Sequence, residues 1–154
     1  MAHGPQPTAE EIPQLRLQRR YPVAAEKVWR AWTEPQALMR WFGPGDCAGF
    51  HCTEMDVRPG GHYHIGFSTQ DGERHDVHGE YLEVAPPTRL AFTWHWKSTP
   101  ERVSRVTIVL RPVDGGTELD FVHDRFFDRE AALNHARGWG ATFEKLDAYL
   151  SASS

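Results

Sequence analysis

The chain has 154 residues, 40% of them hydrophobic and 25% charged, proportions that suit one globular domain with an ordinary core and argue against wholesale disorder or a fibrous repeat. A formal charge of −4 gives no basic footprint for nucleic acid or an anionic membrane surface, which leaves small molecules and proteins as the expected partners. No apolar run approaches the roughly 18 to 20 residues that cross a bilayer, and Met1-Ala2-His3-Gly4-Pro5 lacks the basic and apolar regions of a signal peptide, so no membrane insertion is expected and the expected location is the cytoplasm.

Residues 1–13 are rich in Pro, Gly, Ala and Glu without periodicity and are read as a flexible N-terminal arm. Leu15, Leu17 and Arg19 alternate with Arg16, Gln18 and Arg20 in a half-buried strand that Pro22 ends. Ala25 to Trp32 places Val28, Trp29 and Trp32 on one helical face. Thr33-Glu34-Pro35-Gln36 then has the spacing of a capping box with Pro at the first helical position, opening a second short helix that presents Leu38, Trp41 and Phe42 before Gly43-Pro44-Gly45 breaks it. The two cysteines, Cys47 and Cys52, match neither a CxxC redox motif nor a zinc framework and are read as free thiols.

From His51 to Asp124 the pattern becomes a series of alternating segments, at about 51–58, 61–68, 75–84, 88–97, 102–112 and 116–124. They are punctuated by Pro59-Gly60-Gly61, Asp71-Gly72, Pro86-Pro87, Thr99-Pro100 and Asp114-Gly115-Gly116, residues that supply or preset the φ values of tight turns. Asp128 to Leu150 follows as one long helix with Leu133, Trp139, Phe143, Leu146 and Leu150 on its apolar face. The expected fold class is therefore α+β: a curved antiparallel sheet of about seven strands around a long C-terminal helix, with two short helices after strand one. Residues 14–150 form the single domain and 151–154 a tail.

Period-two alternation assigns faces. Leu90, Phe92, Trp94 and Trp96 share the inward face of one strand, with Ala91, Thr93 and His95 outside. Tyr63, Ile65 and Phe67 point in while His62 and His64 point out; Val106, Ile108 and Leu110 point in; the last strand places Leu119, Phe121 and His123 inside. Gly138 and Gly140 flank Trp139 inside the long helix, where each costs up to about 1 kcal/mol relative to alanine. Close approach of helix and sheet, or local loosening of the helix over a cavity, would offset that cost.

The fragments Val28-Trp29-Arg30-Ala31-Trp32, Arg40-Trp41-Phe42-Gly43-Pro44, Asp56-Val57-Arg58-Pro59-Gly60-Gly61-His62-Tyr63, Gly79-Glu80-Tyr81, Phe92-Thr93-Trp94, Gly116-Thr117-Glu118-Leu119 and His135-Ala136-Arg137-Gly138-Trp139 occur in this order. Together they resemble the activator-of-heat-shock-ATPase-like branch of the START/Bet v-like (SRPBCC) superfamily, over about residues 14–150. The resemblance implies a helix-grip fold with a deep apolar pocket between sheet and C-terminal helix, used across the superfamily for lipids, sterols, polyketides and other hydrophobic molecules. It also implies two rival roles. One is a chaperone partner, for which a single domain lacks the additional chaperone-binding domain of the eukaryotic relatives. The other is sequestration of enediyne antibiotics, because a related group shares fragments that appear here as Gly60-Gly61-His62-Tyr63, Gly72-Glu73-Arg74-His75 and His123-Asp124-Arg125-Phe126.

The expected function is binding of a hydrophobic, aromatic or polycyclic molecule. The candidate ligand-binding residues are Tyr63, Phe67, Tyr81, Phe92, Trp94, Trp96, Phe121, Trp139 and Phe143, whose rings suit a flat ligand, with His75, His123 and His135 beside Tyr63 and Tyr81 as the polar groups that orient it. A polyketide-type enzyme using these histidines is the catalytic alternative. No nucleophile elbow, phosphate loop, carboxylate pair or Ser/His/Asp set can be picked out, so no catalytic residues and no cofactor are assigned. His62, His64, His78 and Glu80 would cluster on the outer face if the Asp71-Gly72 hairpin puts His64 opposite His78, with ligand types that suit zinc or copper. A solvated polar face accounts for the same alternation, and no metal is assigned.

Overall fold

The computed structural model describes residues 14–43, 49–69 and 71–152, and within these the side chains of residues 49–53 and of Ala152 are not described. The N-terminal arm, the break at Pro44-Gly45, both cysteine thiols and the end of the tail lie outside what is described. The elements run β1 (Leu15–Tyr21), α1 (Ala25–Thr33), α2 (Pro35–Leu38), β2 (Gly49–Met55), β3 (His62–Ser68), β4 (Arg74–Ala85), β5 (Arg89–Trp96), β6 (Ser104–Val113), β7 (Gly116–Asp124) and α3 (Arg129–Ala152).

The seven strands form one sheet in the order β1-β7-β6-β5-β4-β3-β2, with every neighbouring pair antiparallel. The sequential strands β2 to β7 are a meander, and β1 closes onto β7 at the far edge. Consecutive strands β1 and β2 therefore lie at opposite edges, and α1 and α2 occupy the connection between them. Register shifts between Cys52 and Glu54 in β2 and between Tyr81 and Glu83 in β4 are bulges of the kind that sharpen local twist and curve a sheet. Tight turns fall at the glycines that the sequence marks, with φ of +85° at Gly60, +88° at Gly72 and +81° at Gly115.

The inward alternation builds the core. Tyr63, Ile65, Phe67, Leu90, Phe92, Trp94, Val106, Ile108, Leu110, Leu119 and Phe121 are all buried, on the face that α1 and α3 cover. Trp32 of α1 meets the Trp41 ring edge-on at 4.6 Å between centroids and lies 6.0 Å from Phe121 and Phe143. The Trp41 indole N–H donates to the Ala31 carbonyl at 2.9 Å, so the turn after α2 is fastened to α1. At the other side Tyr21 donates to Asp147 at 2.7 Å and Arg19 pairs with the same carboxylate at 3.3 Å, tying β1 to α3. Burial and the carboxylate raise the Tyr21 phenol far above its ordinary pKa.

Three local expectations are corrected. The second helix is only four residues long and ends at Leu38, so Trp41 and Phe42 stand in the turn that follows it. The capping box does not form, because Glu34 rather than Thr33 is the N-cap of α2 and the Thr33 hydroxyl donates back to the Trp29 carbonyl at 2.8 Å. Leu133 is 49% exposed; it lies six residues before Trp139, a spacing of about 240° around a 3.6-residue helix, and Ala132 takes the buried place instead.

Candidate ligand-binding cavity

A cavity of about 380 Å³ opens between the β3–β5 part of the sheet and α3. Cross-strand pairing puts Phe67 opposite His75 and Val77 opposite Trp96, and alternation along β5 sets Trp94 on the same inward face as Trp96. From α3 come His135, Gly138, Trp139 and Thr142, at the three- and four-residue spacing that places side chains on one helical stripe. Phe42 and Gly43 close the end nearest α2.

The lining is mainly aromatic. Trp94 has its ring centroid 5.2 Å from that of Trp139 and 5.4 Å from that of Trp96, and Phe67 meets Trp96 edge-on at 6.1 Å. These edge-on and tilted geometries leave ring faces for a flat guest. Trp94 is only 5% exposed, and its indole N–H has no hydrogen-bond acceptor among the described residues. A buried donor left in this state costs free energy that an acceptor would recover.

His123 is buried behind this wall and the half-buried His135 forms part of it, and their hydrogen bonds fix both tautomers. Trp139 donates its indole N–H to Nδ1 of His123 at 3.0 Å; the Ser104 hydroxyl donates to the Trp94 carbonyl at 3.2 Å and therefore accepts from Nε2 of His123 at 2.7 Å. His135 donates from Nδ1 to the Ala131 carbonyl at 2.7 Å and accepts the Trp96 indole N–H on Nε2 at 2.9 Å. Each imidazole thus spends its lone pair on a tryptophan, and protonation would set donor against donor. Burial pushes His123 well below the ordinary histidine pKa, with the nearby His135 adding to the effect, and burial also lowers His135 against the opposing pull of the Ala131 carbonyl.

Of the residues marked in the sequence, Phe67, His75, Trp94, Trp96, His135 and Trp139 are brought together around the cavity. Tyr63, Tyr81 and Phe92 form a separate cluster, with ring centroids 5.4 to 5.9 Å apart, in which the Tyr63 hydroxyl donates to the Thr93 carbonyl at 2.6 Å. Phe121, His123 and Phe143 are fully buried in the core behind the lining. Sequence reasoning missed Phe42, Gly43, Thr69, Asn134, Gly138 and Thr142 as lining residues. For Gly138 and Thr142 the signal was present: they share a helical stripe with His135 and Trp139. For Phe42 and Thr69, at element ends, periodicity carries no such signal.

Neither helical glycine marks a close approach of α3 to the sheet. A Cβ built at Gly138 or at Gly140 meets nothing within 4 Å, and Gly138 borders the cavity.

On the outer face the register expected for the hairpin holds: His64 is opposite His78 and His62 opposite Glu80. The rings of His64 and His78 stack at 4.0 Å, and His95 of β5 continues the stack at 5.5 Å from His78. Asp76 anchors one end, bound by Arg74 and by His64 at 2.9 Å. These partners, Arg74 foremost, hold its carboxyl well below the usual range. Among the described residues no group of three His, Cys, Asp or Glu side chains is placed to hold a metal ion, and no helix is long and apolar enough to cross a membrane.

The fold is shared with solved structures. Protein CV1439 from Chromobacterium violaceum is 29% identical with a TM-score of 0.82, over 89% of this chain and 96% of that one. The AHSA1 protein SPO3351 from Silicibacter pomeroyi is 29% identical with a TM-score of 0.79, over 92% and 100%. CalU16 from Micromonospora echinospora is 25% identical with a TM-score of 0.66, over 90% and 76%. No protein of curated function matches the chain. The family model described as Activator of Hsp90 ATPase homolog 1-like protein matches residues 22–151, and the chain belongs to that family.

Proposed function

We propose that the protein binds a hydrophobic, ring-containing small molecule between the sheet and α3 and does not transform it. The observation that carries this reading is the cavity of about 380 Å³ between sheet and α3, lined by Phe67, Trp94, Trp96 and Trp139. Apolar walls with one or two fixed polar groups are the ordinary design of a small-molecule site. The guest would stack on Trp94 and Trp139, with the Asn134 amide as one polar group beside it. The partly exposed His75 imidazole, 3.4 Å from Glu73, is the second polar group at the rim.

Binding is favoured over a reaction that uses His123 or His135 as its base by the state of those two rings. A general base needs a free lone pair facing the substrate, and those of His123 and His135 are held by Trp139 and Trp96. The test is an NMR titration of labelled protein with a sterol, a fatty acid, a flavonoid, 2-naphthol and an enediyne-type aromatic, following the indole signals of Trp94, Trp96 and Trp139. Saturable shifts at Trp94 and Trp139 establish binding and rank the ligand classes, antibiotic sequestration among them. Silence across the panel refutes the reading and moves the case to a protein partner such as a chaperone.

A further inference from the structure

A second space of about 310 Å³ lies directly beyond the first, and Trp94, Trp96, Asn134 and His135 line both. The shared wall joins the end of β5 to α3, and a hydrogen bond from the Trp96 indole to Nε2 of His135 crosses it. Trp96 is the last residue of its strand and only partly buried. The ring also packs on Phe67, His75, Trp94 and His135, and a swing that broke the hydrogen bond and these ring contacts would join the two spaces.

The far space differs in chemistry from the near one. Thr99, Arg102, Ser104 and Glu130 border it, and the Arg102 guanidinium lies 3.9 Å over the exposed Phe127 ring. Asp128, also on its border, is already engaged as the helix cap, accepting the Ala131 N–H at 2.8 Å. An anion entering here would meet the carboxylates of Asp128 and Glu130, and a cation would meet the Arg102 guanidinium. An uncharged group with several hydroxyls donates to the carboxylate and accepts from the guanidinium, and so uses both.

We propose that the Trp96–His135 pair is a removable partition, and that the two spaces take the two ends of one small molecule: an apolar ring system against Trp94 and Trp139, and an uncharged, hydroxyl-bearing substituent between Thr99, Arg102 and Glu130. This rests on the binding reading of the first cavity and extends it. The ligand class is then an aromatic compound carrying a polyol or sugar, rather than a bare lipid or sterol.

Two probes that differ only in the second half test it, 2-naphthol and 2-naphthyl β-D-glucopyranoside, titrated into the labelled full chain. Both should shift the Trp94 and Trp139 indole signals, and the glucoside alone should also shift Trp96 Nε1–H and the Arg102 side chain. Arg102→Leu should weaken the glucoside at least about fivefold with naphthol unchanged. Trp96→Phe, which keeps a ring but removes the crossing bond, should raise the ratio of glucoside to naphthol affinity several-fold. If naphthol binds while the glucoside is excluded, or binds without moving Arg102 and with the same affinity in Arg102→Leu, the partition is refuted and the first cavity stands. If neither probe moves Trp94 or Trp139, both are refuted.

Discussion

The Trp139 indole and His123 meet at 3.0 Å between a long helix and the strand it covers, and the bond runs from indole N–H to Nδ1. Because His123 is fully buried and donates its Nε2–H to the Ser104 hydroxyl, one neutral tautomer satisfies two elements at once. The helix is therefore held to the sheet by a group that must stay uncharged.

Stability should fall on acidification for this reason. Folding lowers the pKa of His123 and His135 below the ordinary value of 6.5, so below that value the unfolded chain binds protons that the folded chain refuses. The stabilisation is complete above about pH 6.5 and is lost as pH falls from there towards the folded pKa values, by up to about 1.4 kcal/mol per pH unit for each imidazole. Urea midpoints measured between about pH 5 and 7.5 should show it. His123→Phe should cost about 2–4 kcal/mol at neutral pH, by stranding the Trp139 and Ser104 groups, and should also flatten the acid slope. A slope unchanged in this variant would mean that His123 is not the titrating group.

Gly138 separates helix stability from cavity volume. Since a Cβ there meets open space, Gly138→Ala should stabilise α3 by about 0.5–1 kcal/mol, and Gly140→Ala should do the same. Only Gly138 borders the cavity. Gly138→Leu should therefore weaken 2-naphthol at least about tenfold without loss of melting temperature, while Gly140→Ala leaves the affinity unaltered. Equal affinities across all three variants would place the guest elsewhere.

Strand faces were legible in the sequence because a one-residue slip of β5 would have turned Leu90, Phe92, Trp94 and Trp96 to solvent together. The division of the aromatic residues between lining and core was not. Phe92 and Trp94 alternate identically on β5, yet Phe92 is closed in by Tyr63 and Tyr81 while Trp94 borders the cavity. What separates them is the packing of rings from β3 and β4 over Phe92, a tertiary arrangement that no local pattern encodes. The capping box failed for a related reason: Pro35 starts the helix directly after α1, and the Thr33 hydroxyl finds the Trp29 carbonyl of that preceding helix nearer to hand.

His78, in the middle of the outer histidine stack, should titrate low and sense its neighbours. Burial first, and then the neighbouring imidazoles of His64 and His95, lower the pKa of His78, while Asp76 opposes them. His95 is lowered by burial alone. NMR titration should find the His78 midpoint below 6.5 and moving upward in His95→Gln, where one competing positive charge is gone. A midpoint that stays fixed or falls in that variant would show that the rings do not sense one another.

Gly79 is the position where β4 admits nothing larger. A Cβ there would stand 2.0 Å from the Thr93 carbonyl oxygen and 2.3 Å from the Tyr63 ring, which lies across this glycine to reach the same carbonyl with its hydroxyl. The missing side chain thus allows Tyr63, on β3, to pass over β4 and bond to β5. Gly79→Ala should force the strands apart at this crossing and cost about 3 kcal/mol or more, within the range of overpacked cores. Tyr63→Phe should cost only about 1 kcal/mol, the net value of one hydrogen bond. Because the Thr93 carbonyl is backbone, the clash at Gly79 persists without the tyrosine, so adding Tyr63→Ala should not rescue Gly79→Ala. Thermal melts of the three variants decide it, and recovery in the double variant would locate the constraint in the ring rather than in the spacing of β4 and β5.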